Sequence, residues 1–167
     1  MKVGVLGAGA VGAYVGCLIQ HRGGAPVVLV GRQRLEDQVA QQGVVLETVG
    51  TAHACIRIPR EDLRVTQDAG DLQGCDVVLV AVKTTATAAA AEQLAALARR
   101  GGFPKGALVL SLQNGVGNGA VLAAALEPHG VCVLTTMVNF NVVWSSYCDS
   151  LAAALHIRWA SYPNPKP

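Results

Sequence analysis

Apolar residues in this chain fall into short continuous runs separated by stripes of helical period. Lys2 to Leu6 is a valine-rich run of the kind that forms a buried strand. Val11, Tyr14, Val15, Leu18 and Ile19 then recur at i, i+3, i+4, i+7 and i+8, which predicts a helix with one buried face. His21-Arg22-Gly23-Gly24 stops it, and Val27 to Val30 predicts a second buried strand ending at Gly31-Arg32. Arg34 to Gln42 reads as a short helix with Leu35 and Val39 inside, closed by Gly43.

The middle of the chain interrupts this rhythm. Val44 to Val49 and His53 to Ile58 are β-rich and flank Gly50-Thr51-Ala52, which predicts a hairpin. Val65-Thr66 adds a short extended piece, and Asp68 to Cys75 a brief helix or turn. Asp76 to Val82 is the clearest buried strand. An alanine-rich helix follows over Thr85 to Arg99, with Leu94 and Leu97 on one side. Ala107 to Leu112 is a further strand, Val116 to Leu126 a helix, and Val131 to Thr135 and Val138 to Val143 are again β-rich. Strands alternating with helices predict an α/β, doubly wound parallel sheet covered on both faces, with the hairpin as an accessory.

Composition narrows the class without changing the fold. The 167 residues suit one ordinary domain with a real core. Hydrophobic residues make up 51% and charged residues 14%, which argues against disorder over most of the length. The formal charge is +2 with scattered basic residues, so neither a nucleic-acid footprint nor a polybasic membrane anchor is expected. No run is uniform enough for a membrane span, and the expected location is the cytoplasm. Cys17, Cys55, Cys75, Cys132 and Cys148 share no C-x-x-C spacing, and most lie in apolar runs as expected of buried thiols. The four histidines are equally dispersed, so no metal site is expected.

The chemistry lies at the strand ends. Gly7-Ala8-Gly9-Ala10-Val11-Gly12 matches the G-x-G-x-x-G dinucleotide fingerprint, directly after a strand and before a helix. Gly7 permits the tight turn, Gly9 lets backbone approach a pyrophosphate, and Gly12 lets the helix pack on the strand. Arg32 lies about twenty residues further on, where an acidic residue would favour NAD and an arginine accommodates the 2′-phosphate of NADP. With Arg34 nearby, Arg32 points to NADP(H); a solvated surface arginine is the alternative. Lys83 and Asn114 also fall just past strand carboxyl ends, the edge where open α/β sheets bind ligands. A solvated strand-end lysine and an ordinary Asn-Gly turn residue remain their alternatives.

GAGAVG, VGR, VAVKTT, SLQNGVGN and the later MVNFNVV together resemble the ketopantoate reductase (2-dehydropantoate 2-reductase) family over residues 1 to 143. That resemblance implies a Rossmann-type NADP-binding domain and an oxidoreductase that reduces a small-molecule 2-keto acid with NADPH. The reaction implied is ketopantoate to pantoate, in pantothenate and coenzyme A biosynthesis. Gly7, Ala8, Gly9, Ala10, Val11 and Gly12 then correspond to the pyrophosphate loop and Arg32 to the 2′-phosphate contact. Lys83 corresponds to the family's VK lysine beside the cofactor, and Asn114 to the NG-motif asparagine of the cofactor and substrate site. The resemblance thus implies that both are supporting catalytic residues.

The family also carries a helical C-terminal domain supplying a lysine general acid, and this sequence has no match to it. Residues 144–167 read instead as a divergent tail, with a short helix at Ser150 to Trp159 and an extended Pro-rich end. The expectation is an incomplete family member, or alternatively a catalytically inactive NADP(H)-binding module or remnant. Self-association through the surface the second domain would cover is a further expectation.

Overall fold

A computed structural model of the chain describes residues 1–47 and 55–136. The predicted turn at Gly50-Thr51-Ala52, the strand at Val138 to Val143 and the tail over 144–167 lie outside the described residues.

The valine-rich runs become β1 (Val3–Leu6), β2 (Val27–Val30), β6 (Val77–Val80), β7 (Leu108–Ser111) and β8 (Cys132–Thr135). With β5 (Arg64–Thr66) they form one six-stranded sheet in the order β5-β2-β1-β6-β7-β8, and every pairing is parallel. The predicted hairpin is a separate antiparallel pair, β3 (Val44–Glu47) and β4 (Cys55–Ile58), with Val44 opposite Ile58. The architecture is the expected doubly wound α/β fold with its accessory hairpin. The chain leaves β1 toward β2 on one side and returns to β6 on the other. This order reversal opens a crevice at the carboxyl ends of the central strands.

Parallel strands bury both faces, and side chains alternate between them at period two. Val3, Val5, Val27, Leu29, Leu79 and Leu110 enter one core, joined by Cys17, Leu18 and Ile19 of α1 (Ala10–His21) and by Leu46 and Ile58 of the hairpin. Leu6, Val30, Val78, Val80 and Val109 enter the other, covered by α3 (Thr87–Arg99) and α4 (Asn118–Leu126). Gly4 leaves a gap in that second face, and Leu72 and Cys75 fill it: a Cβ at Gly4 would stand 3.1 Å from the Cys75 sulfur.

Four details differ from the sequence reading. The buried face of α1 runs through Gly12, Gly16, Cys17, Leu18 and Ile19, while Val11, Tyr14 and Val15 flank it, because the small residues let the helix approach the sheet. The extended piece at Val65-Thr66 is a full member of the parallel sheet, pairing with β2 at its edge. The helix expected from Val116 starts at Asn118, since Gly117 takes a left-handed φ of 97° as its N-cap. Among the cysteines, Cys17 and Cys75 are buried but Cys132, on edge strand β8, is exposed. The remaining helix, α2 (Gln33–Gln42), packs Leu35 and Val39 inward and closes at Gly43 as predicted.

Candidate functional site

The loop from β1 to α1 is shaped by what its glycines exclude and admit. Gly7 has φ +95°, and a Cβ there would stand 2.6 Å from both the backbone N and Cγ1 of Val82. The N–H groups of Gly7 and Ala8 both donate to the Val30 carbonyl, at 3.0 and 2.8 Å, which pins the loop to the end of β2. Gly12 faces inward, against Val5 and Ala81. Gly9 does the opposite: nothing lies within 4 Å of where its Cβ would be.

Gly9 caps α1 without a side-chain hydrogen bond, and the first turn carries no acidic residue. The first N–H groups of a helix lack partners within it, and the helix dipole adds positive potential there. Ala10, Val11 and Gly12 therefore offer donors toward the open space in front of Gly9. An anionic group such as a pyrophosphate fits this cradle; a Cβ would intrude into it.

At the tip of β2, Arg32 is the N-cap of α2 and is exposed. The guanidinium groups of Arg32 and Arg34 have no hydrogen-bond or ion-pair partner among the described residues. The carboxylates of the same helix are occupied. Gln67, just past β5, donates to Gln33 Oε1 at 2.5 Å and to Glu36 Oε2 at 3.0 Å, and Gln33 donates to Asp37 at 2.8 Å. Glu36 and Asp37 thus accept from amides, and neither pairs with Arg32 or Arg34 among the described residues.

Lys83 follows β6 and leads into a 3-10 turn over Thr84–Ala86; its ammonium is exposed with no partner among the described residues. Asn114 follows β7 and is also exposed. Its backbone carbonyl is tied down, accepting from Asn118 Nδ2 at 2.9 Å and from the Thr84 hydroxyl at 3.4 Å. Its side-chain amide has no partner among the described residues.

Beneath these two loops lies a polar cluster that sequence reasoning missed. Gln113, Asn118, Thr87 and Ser111 are 6%, 5%, 3% and 1% exposed. Gln113 Nε2 donates to the Val82 carbonyl at 3.0 Å and to the Thr87 hydroxyl at 2.7 Å. Thr87 donates onward to Asn118 Oδ1 at 3.0 Å, and Ser111 donates to Gln113 Oε1 at 3.1 Å. The only sequence signal was an unusual density of amide and hydroxyl residues around two strand ends.

The structure thus brings Arg32, the Gly7–Gly12 loop, Lys83 and Asn114 to one carboxyl edge, on the successive strands β2, β1, β6 and β7. Among the described residues no cluster of three or more His, Cys, Asp or Glu is placed to hold a metal. No helix among them is long and apolar enough to cross a membrane.

Residues 3–146 match the family described as ketopantoate reductase PanE/ApbA. The chain is 37% identical over 138 residues to the 2-dehydropantoate 2-reductase of Halobacterium salinarum, covering 81% of this chain and 41% of that protein. It is 32% identical over 118 residues to the corresponding enzyme of Pyrococcus abyssi, covering 71% of this chain and 34% of that protein. A solved PanE/ApbA family ketopantoate reductase from Ralstonia eutropha superposes with a TM-score of 0.66 at 36% identity, over 81% of this chain and 40% of that one. The chain therefore spans about two fifths or less of the length of these relatives.

Proposed function

The chain belongs to the ketopantoate reductase family, and from that premise we propose that it serves NADPH-dependent reduction of a 2-keto acid, with 2-dehydropantoate the favoured substrate and pantoate the product. The observation that carries this reading is the one edge described above. An uncapped helix N-terminus opens onto empty space at Gly9, flanked by unpartnered cations at Arg32 and Lys83. Adjacent strands lie about 4.8 Å apart, so the edge from β2 to β7 is roughly 15 Å wide, which suits an extended dinucleotide.

Each residue type has a physical task in this scheme. The N–H groups of Ala10, Val11 and Gly12 hold the pyrophosphate. Arg32, with Arg34 beside it, holds the 2′-phosphate through charge-assisted hydrogen bonds, which a ribose hydroxyl does not offer. Lys83 neutralises phosphate or ribose oxygens. Asn114 directs its free amide N–H toward the keto oxygen, where negative charge develops during reduction. The bound nicotinamide supplies the hydride; the chain supplies orientation and electrostatics.

A second reading is a module that binds NADP(H) without turning it over. It is favoured by one observation: residues 81–87 and 112–118, the loops that would face the substrate, carry Lys83 as their single ionisable side chain. Following the near-ultraviolet absorbance of NADPH with 2-dehydropantoate present separates the two. Enzyme-dependent loss of NADPH supports the reductase; binding of NADPH without its oxidation supports the module.

A further inference from the structure

We infer that Thr87 and Asn118 are positioning residues, which with Gln113 lock the Lys83 loop and the Asn114 loop into one rigid half-site for the nicotinamide end of the cofactor. The inference rests on the functional reading above and extends it to residues that touch neither cofactor nor substrate.

The hydrogen bonds run in one direction with no ambiguity of donor. Ser111 donates to Gln113, Gln113 to Thr87, and Thr87 to Asn118. The Asn118 amide then donates to the Asn114 carbonyl at 2.9 Å and to the Thr84 hydroxyl at 3.4 Å. Gln113 also holds the Val82 carbonyl, one residue before Lys83. The Val82 carbonyl and the Thr84 side chain, on either side of Lys83, are thereby joined to the Asn114 carbonyl through the buried amides of Gln113 and Asn118 and the Thr87 hydroxyl.

Such a chain specifies geometry more than it stabilises. Buried polar groups cost free energy unless every one is paired, so the cluster tolerates one arrangement. It fixes the peptide orientation at Asn114: the carbonyl turns inward and the side-chain amide is left free. Thr87 is central because its hydroxyl both accepts and donates; without it, Asn118 Oδ1 loses its donor.

Thr87→Val tests this, with Thr87→Ser as the conservative control. Titration of the 167-residue protein uses two probes, NADPH and 2′,5′-ADP, which lacks the nicotinamide half. A positioning role predicts that Thr87→Val weakens NADPH about tenfold, while 2′,5′-ADP affinity stays within about twofold and Thr87→Ser restores NADPH binding. A general loss of structure would weaken both probes together. Asn118→Asp, which places an oxygen against the Asn114 carbonyl, should give the same split and carries the test where Thr87→Val does not fold. Equal losses for both probes, or no loss for NADPH, overturn the inference while leaving the functional reading intact. Failure of the wild-type protein to bind either probe overturns both.

Discussion

The Cα of Gly12 lies so close to the Gly7 carbonyl that a Cβ at position 12 would stand 2.5 Å from that oxygen. Helix α1 crosses the end of β1 at this point, and the approach brings its N-terminus over the sheet edge. Three residues earlier, a Cβ at Gly9 would meet nothing within 4 Å. Two glycines of one motif thus serve opposite ends, one packing and one access.

Alanine substitution separates them. Gly12→Ala overpacks the helix–strand contact and should cost about 1–3 kcal/mol of stability. Gly9→Ala should remain within about 1 kcal/mol of wild type, the range of a helix-cap change, yet lose NADPH affinity. Thermal melts paired with ligand titration check both. If Gly9→Ala is destabilised as much as Gly12→Ala, Gly9 packs against the protein after all.

Arg32→Ala should abolish most of the preference for NADPH over NADH. A charge-assisted contact to phosphate is worth roughly 1.5–3 kcal/mol, about tenfold to a hundredfold in affinity. NADH binding should change little. A parallel loss for both cofactors would place Arg32 elsewhere than at the 2′-phosphate.

The cysteines should divide by burial. Desolvation pushes the Cys17 thiol up to about 11 from 9.0 and also raises Cys75, so neither forms thiolate near neutrality. Native-state alkylation followed by mass spectrometry should label Cys132 and spare Cys17 and Cys75 until denaturant is added. Because the folded protein keeps the Cys17 proton that the unfolded chain loses, this contribution to stability is present below pH 9 and declines toward pH 11. Cys17→Ala should flatten the decline seen in alkaline denaturation curves.

At the other end of the pH scale stands Asp71. A hydrogen bond from the Thr66 side chain, and the Arg64 guanidinium at 2.8 Å, hold its carboxyl below the usual carboxylate range against some desolvation. Its stabilising effect is therefore present above the ordinary carboxylate value and is lost as pH falls through the depressed one. Both partners are partly exposed, so the effect is small. Urea midpoints measured from neutral to acidic pH should fall less steeply for Asp71→Asn than for wild type.

Much of the fold was legible because buried parallel strands are continuous apolar runs, as at Val27 to Val30 and Asp76 to Val82. The edge strand over Arg64–Thr66 was legible only as a short extended piece at Val65-Thr66 and not as part of the sheet, since it has one apolar residue and two polar neighbours, and its partner is distant in sequence. The start of α4 was misplaced because Val116 looks helical by composition, yet it is 97% exposed ahead of a left-handed glycine. The place of Arg32, Lys83 and Asn114 just past strand ends was legible in the sequence. Gln113, Thr87 and Asn118 were not, because polar residues just past a strand or at the start of a helix read as solvated. Their burial exists only once α3 and α4 close over β6 and β7. Gln67, exposed and bonded to Gln33 and Glu36, escaped because those partners lie 34 and 31 residues away in sequence.

The proposal that this carboxyl edge is an NADP(H) site stands or falls on calorimetric titration of the 167-residue protein with NADPH and with NADH under matched salt. NADPH should bind saturably at one site, at least about tenfold tighter than NADH, the margin expected of a charge-assisted phosphate contact. Equal affinity for the two cofactors, or no binding of NADPH, would contradict it.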